Sequence, residues 1–294
     1  MVNHQRGILN PIPQHARYLM FSFESTPTDA ATALMPLLEV VEGEQTVVGL
    51  GASLLAALGK TVPGMRPFPS LVGPGFDIPV TQYALWFWLR GEECGELYHR
   101  SRRIEESLAN DFELREVLDA FLHDASRDLT GYEDGTENPQ GDEALKVAIV
   151  QGAGAGLDGA SFVAVQQWRH DFDRFDAMSD DEQDEAIGRR KSDNEELLEA
   201  PPSAHVKRTA QESFEPAAFM VRRSMPWVEG NDAGLNFVAF ATSLDPFEVM
   251  LRRMVGQEDG VVDALFGFTR PISGGHYWCP PMKGGQLDLR ALVS

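Results

Sequence analysis

Cysteine is almost missing: Cys94 and Cys279 are the only two in 294 residues, and they stand far apart. They have neither redox-loop nor metal-ligand spacing, and two thiols make no disulfide scaffold, so the chain has to be held by a core. A single bridge between them and two buried free thiols are both open readings. No apolar run reaches membrane-spanning length, and Met-Val-Asn-His-Gln-Arg-Gly at the start lacks the apolar region of a secretory signal, which makes the cytoplasm the default residence. Basic charge is scarce too, with 25 Lys and Arg against 45 Asp and Glu for a net charge of -20. Such a field repels phosphate backbones and anionic membrane surfaces. The longest basic run is Arg189-Arg190-Lys191, so neither nucleic acid nor membrane is expected as a partner. His-Glu-x-x-His and Gly-x-Ser-x-Gly are absent, which leaves hydrolase readings without support. The glycine-alanine run at 152–156 has no following Lys-Ser/Thr and reads as a flexible connection.

What is present is ample apolar material. Hydrophobic residues make up 43% and charged residues 24%, enough for a large core in one large domain or two packed units. Dense apolar stretches at 17–23, 46–50, 81–89 and 112–121 read as strands. Helix-start chemistry at 27–29 precedes Leu34, Leu37, Leu38 and Val41 at helical spacing, and a second helix is expected from about 91 to 108. Strand, helix, strand, strand, helix, strand is the order of a ferredoxin-like unit. The second half repeats the style, with strands expected at 161–168, 219–224, 234–240 and 274–279 and a helix at 246–254. The fold class is therefore α+β: two ferredoxin-like units, 1–135 and 136–294, with antiparallel sheets and peripheral helices, of the dimeric α+β barrel type.

Between the units lies Gly131-Tyr132-Glu133-Asp134-Gly135-Thr136-Glu137-Asn138-Pro139. Two glycines and a closing Asn-Pro make a tight loop that would hold Asp134 still, although a lone Gly-x-x-Asp-Gly is also a common solvated turn. Further on, period-two geometry puts Met220, Arg222 and Ser224 on one strand face and Val221, Arg223 and Met225 on the other. Arg222 and Ser224 can thus face one pocket together, unless the Arg222-Arg223 pair only offsets nearby acids. Asp263 precedes an apolar helix start, where an acid is often a cap. Of the seven histidines, the pattern alone hardly favours His205 over the others.

Taken in order, the 131–139 loop, Ile187-Gly188-Arg189-Arg190-Lys191-Ser192-Asp193-Asn194-Glu195-Glu196, the segment around His205 and Arg222-Arg223-Ser224-Met225-Pro226-Trp227 resemble the dye-decolourising peroxidase family, bacterial cytoplasmic subgroup. The resemblance runs from Arg6-Gly7-Ile8 to the end. It implies haem b (iron protoporphyrin IX) held mainly by the second unit, with His205 as the axial iron ligand and Asp263 as acceptor for its far nitrogen. Asp134 and Arg222 would be the distal acid and arginine, with Ser224 the smaller polar neighbour where relatives have asparagine. Arg189, Lys207 and Arg208 would serve the haem propionates, while Met220, Phe237 and Phe240 are candidate walls of the porphyrin slot.

The implied activity is peroxidation: hydrogen peroxide is the oxidant, organic donors large or small are oxidised by one-electron steps through a ferryl species, and the protein self-associates. The alternative is a haem-handling protein that binds porphyrin or releases iron, with peroxidation incidental. Two further rivals are a chlorite-decomposing haem protein and a non-catalytic dimeric α+β domain. Some relatives carry a C-terminal extension that addresses them to protein shells; this chain stops soon after its last expected strand, so no such tail is expected.

Overall fold

The computed structural model describes residues 3–23 and 30–293. In chain order the first half supplies β1 (His15–Phe23), β2 (Thr46–Gly51), the small hairpin β3 (Leu71–Gly73) and β4 (Phe76–Ile78), β5 (Leu85–Gly91) and β6 (Phe112–Phe121). The second half supplies β7 (Ser161–His170), β8 (Val221–Arg222), β9 (Met225–Glu229), β10 (Asp232–Ala241), β11 (Thr269–Pro271), β12 (Gly275–Cys279) and the hairpin of β13 (Met282–Lys283) and β14 (Gln286–Leu287).

Each half has the ferredoxin-like strand order, β6-β1-β5-β2 and β12-β7-β10-β8, with β9 also paired to β10 and β11 to β7. The expectation of a barrel-type closure and of paired sheets is corrected by how the halves meet. Tyr277 pairs with Gly51 and Trp278 with Leu50, so β12 and β2 join edge to edge and both halves share one open ten-stranded sheet. Glycine permits this seam, since a Cβ on Gly49 would stand 2.6 Å from the Tyr277 Cβ. No backbone ladder joins β6 to β8 or β9 among the described residues, so the sheet does not close.

Local sequence explains most elements. Leu85 to Leu89 are fully buried, as a continuous apolar run must be when both faces of a strand are covered. The strand expected from 81 starts only at Leu85, because Thr81 and Gln82 turn aside to bond Gly274 and His276. Helix Cys94–Leu108 buries Leu97, Ser101, Ile104 and Leu108, one stripe against the sheet. The helix start read at 27–29 lies outside the described residues. Beyond it, two short helices, Ala30–Ala33 and Leu37–Val40, sit beside buried Leu34, Leu37 and Val41. The strand expected over 219–224 is regular only at Val221–Arg222, although Arg223 N still donates to Val238 O at 2.7 Å.

Period-two alternation sorts the sheet into two faces. Val163, Val238 and Phe240 join Tyr18, Trp86, Trp88 and Tyr277 in an aromatic-rich core. Ala164, Trp168, Ala239 and Ala241 turn the other way, toward helix Asp245–Met254. Phe240 lies with ring centroids 6.3 Å from Trp86 and 6.0 Å from Trp88. Replacing Phe240 by Ala is expected to cost about 3–5 kcal/mol, because the cavity left among rigid rings collapses poorly; a urea midpoint shifted by far less would show that this core repacks.

Candidate active site

The second-half sheet face and the helix above it enclose a cavity of about 980 Å³, its mouth included. Helix Asp245–Met254 contributes Phe247, Met250, Leu251 and Met254, which fall on one side because they stand at i, i+3, i+4 and i+7. From the sheet come Gln166, Trp168 and His170 on β7, Leu235 and Phe237 on β10, Arg222 on β8 and Thr269 on β11. Most of this lining is apolar.

Asp134, His205 and Arg222, remote in sequence, all line this one cavity. His205 opens a one-turn helix, His205–Arg208, and its Nδ1 lies 2.8 Å from Asp263 Oδ2. Asp263 is 1% exposed and also caps the following 3₁₀ turn, its Oδ1 accepting from Leu265 N at 2.9 Å. The imidazole is thus oriented by a fixed carboxylate, and Nε2 has no bond within the described residues. The Arg222 backbone is clamped by Asn138, whose Oδ1 accepts from Arg222 N at 2.8 Å and whose Nδ2 donates to Arg222 O at 2.9 Å. Its guanidinium has no carboxylate partner among the described residues, and its Nε is buried without a hydrogen bond. Asp134 sits on a tight hairpin, its N–H donating to Ser126 O at 3.0 Å, and its carboxylate is likewise free of partners among the described residues.

Other candidates stand elsewhere. Ser224 is buried with an unbonded hydroxyl but is not in the cavity lining. Arg189 pairs with Glu137 at 2.8 Å and Lys207 with Glu196 at 2.8 Å. Arg208 is gripped by both oxygens of Asp259 at 2.7 Å, which lowers the Asp259 carboxyl to about 2. None of these three cations lines the cavity. Phe237 does, whereas Met220 packs in the helix-side core and Phe240 faces the opposite side of the sheet.

Sequence reasoning missed Asn138 and His170. Asn138 showed only as part of an Asn-Pro turn, and nothing local marks a side chain that clamps a strand 84 positions away. His170 lines the cavity with Nε2 3.0 Å from Asp128 Oδ1 and Nδ1 2.8 Å from Thr269 Oγ1. Burial alone would raise the Asp128 carboxyl, but the hydrogen bond and charge of His170, with bonds from Thr130, outweigh it and hold it below its ordinary value.

Residues 125–284 match the family model for the C-terminal part of Dyp-type peroxidases. A dye-decolorizing peroxidase of Mycobacterium tuberculosis is 28% identical over 291 residues, covering 93% of this chain and 87% of that protein. Among solved structures, a dye-decolorizing protein from V. cholerae superposes with a TM-score of 0.83 at 27% identity, covering 93% of this chain and 96% of the other. An arginine-to-leucine variant of Rhodococcus jostii RHA1 DypB, solved in complex with heme, gives a TM-score of 0.84 at 26% identity over 93% and 94% of the two chains. The chain belongs to the Dyp-type peroxidase family, and is an enzyme of that class.

The depressed Asp128 carboxyl yields a pH prediction. Its folded value lies below 3.8, so its stabilising contribution is present above that range and is lost as pH falls through the folded value. Asp128→Asn is expected to lose about 1–3 kcal/mol near neutral pH, with the gap to wild type closing below about pH 4. Urea denaturation at both ends of that range checks this; an equal gap in acid would refute it.

Proposed function

We propose that this chain is a haem b peroxidase that uses hydrogen peroxide to oxidise organic donors one electron at a time. The observation that carries the reading is His205, held through Nδ1 by buried Asp263 at the wall of an apolar cavity that also contains Asp134 and Arg222. The residues present fit the group. No cluster of three or more His, Cys, Asp or Glu able to hold a bare metal ion occurs among the described residues. A macrocycle that brings four donors of its own would ask the protein for a nitrogen ligand, and His205 Nε2 has no competing bond among the described residues. The buried, unbonded Arg222 Nε marks a guanidinium without a partner among the described residues, turned toward a cavity with mostly apolar walls. When bound, haem would supply the redox-active iron that takes oxidising equivalents from peroxide and returns them to donors singly.

The chain's own residues supply the rest. Asp263, accepting from Nδ1–H, makes the far nitrogen of His205 more electron-rich and fixes the plane of the ring. Phe247, Leu251 and Met254 exclude water from the ligand faces. Asp134, with an unpartnered carboxylate, takes a proton from one peroxide oxygen and delivers it to the other as a general acid–base. Arg222 opposes the negative charge that develops on the leaving oxygen, and its clamped backbone means it need not reorganise to do so. Ser224, two residues beyond Arg222 and buried outside the cavity lining, would act only as a smaller polar neighbour. Of the cations suggested for the propionates, Arg189 and Lys207 would have to exchange Glu137 and Glu196 for the haem carboxylates, while Arg208 would have to leave Asp259.

Haem titration followed by stopped-flow mixing with hydrogen peroxide tests the reading. His205→Ala is expected to abolish tight haem binding, and an unchanged histidine-ligated spectrum would remove it as the ligand. Arg222→Leu should retain haem while the resting spectrum decays about 10²–10³-fold more slowly after peroxide; an unaltered rate would refute its role. Haem bound tightly by the wild type without any peroxide response would instead favour a haem-handling protein.

A further inference from the structure

The Asp134 segment is anchored to the sheet on both sides of the acid. On one side Asn138 clamps the Arg222 backbone. On the other, Asp128 stands at the tip of the hairpin, whose rungs are Asp128 N to Tyr132 O at 2.8 Å, the bridge of Arg127 with Glu133, and Asp134 N to Ser126 O at 3.0 Å. The bond that ties this tip to the sheet comes from His170, whose side chain is 5% exposed.

Both ring nitrogens of His170 take part in that tie. Thr269 Oγ1 stands 2.8 Å from His170 Nδ1 and 3.0 Å from Arg169 O, so its hydroxyl ties the ring to β11. Asp128 accepts from Thr130 N on one oxygen and faces His170 Nε2 with the other, so a ring N–H fills its remaining need. Both ring nitrogens are therefore committed, one to β11 and one to the hairpin, and neither is free for a ligand in the cavity it lines. A buried imidazole used in this way transmits position.

We propose that His170 is a positioning residue for Asp134: bridging Asp128 and Thr269, it locks the hairpin onto the sheet so that the acid is presented to the cavity with its backbone fixed. The significance for catalysis rests on the role proposed above for Asp134, whereas the clamp itself does not depend on haem.

The test uses the 294-residue chain, with and without added haem, and two variants. His170→Phe keeps the ring volume and removes both bonds; His170→Gln places an amide N–H near the Nε2 position, where it can still donate to Asp128. Amide hydrogen–deuterium exchange is followed by mass spectrometry in peptides covering 126–134. In the haem-free chain, His170→Phe is expected to speed exchange there by about tenfold or more, with β7 and β10 peptides unchanged, and His170→Gln to stay near wild type. In the haem-loaded protein, His170→Phe should slow the reaction with peroxide and His170→Gln should restore most of it. Unchanged hairpin exchange in His170→Phe, or a glutamine variant as loose as the phenylalanine one, would overturn the proposal. A loosened hairpin, rescued by glutamine, in a protein whose peroxide reaction is indifferent to Asp134→Asn would support the clamp and remove the role of Asp134 instead.

Discussion

The register between β7 and β10, running from Gly234↔Arg169 to Ala241↔Phe162, is the constraint on which the site depends. It puts Phe237 opposite Gln166 and Leu235 opposite Trp168, all four facing the cavity, while Val238 and Phe240 fall on the aromatic core. A slip of one residue would exchange the faces and send the cavity lining into the core. Close approach guards the register: a Cβ on Gly234 would lie 1.9 Å from Trp168 O. Because β8 pairs with β10, with Arg222 opposite Ala239, the same ladder also delivers the arginine.

The charges of the second half divide into two kinds. Arg189, Lys207 and Arg208 are matched by nearby acids at 2.7–2.8 Å and act as fasteners between loops and helices. Arg222 and Asp134 lack such partners among the described residues, although they share a cavity with mostly apolar walls. Both are half-buried, and their backbones are over-determined. Asn138 and the hairpin supply that over-determination from opposite sides of Asp134. The same logic holds below the cavity, where Asp263 serves at once as helix cap and as acceptor for His205, so orienting the imidazole needs no additional buried acid.

Joining the halves through β2 and β12 gives the second half a rigid neighbour. The aromatic core crosses that seam, with Trp86 of β5 stacked on Tyr277 of β12 at 6.0 Å. The face that carries the cavity is thus backed by a core drawn from both halves, and cavity-lining and core residues alternate along each strand.

Much of this was legible in the sequence because it is local. Apolar runs marked the longer strands of both halves, though not β9, β11 or the small hairpins; helices expected near 91–108 and 246–254 correspond to Cys94–Leu108 and Asp245–Met254, and the Gly-x-x-Asp-Gly spacing marked a tight turn around Asp134. The family resemblance, carried by four motifs in order, singled out His205 where pattern alone could not. What the sequence could not decide is relational. Whether two ferredoxin-like units close into a barrel or merge at an edge depends on the β2–β12 pairing, whose partners are more than 220 positions apart. Which cations stay free depends on which acids folding brings near, so nothing local showed that Arg189, Lys207 and Arg208, expected at the propionates, would each be paired with an acid. His170 and Asp128 carry no local signature, since a hydrogen bond between side chains 42 positions apart is specified only by the tertiary structure that aligns them. Sequence by itself determined the elements, the period of each face and the residues suited to the chemistry; tertiary structure alone decided which of them meet, because hydrogen bonds and ion pairs act over a few ångströms whatever the distance along the chain.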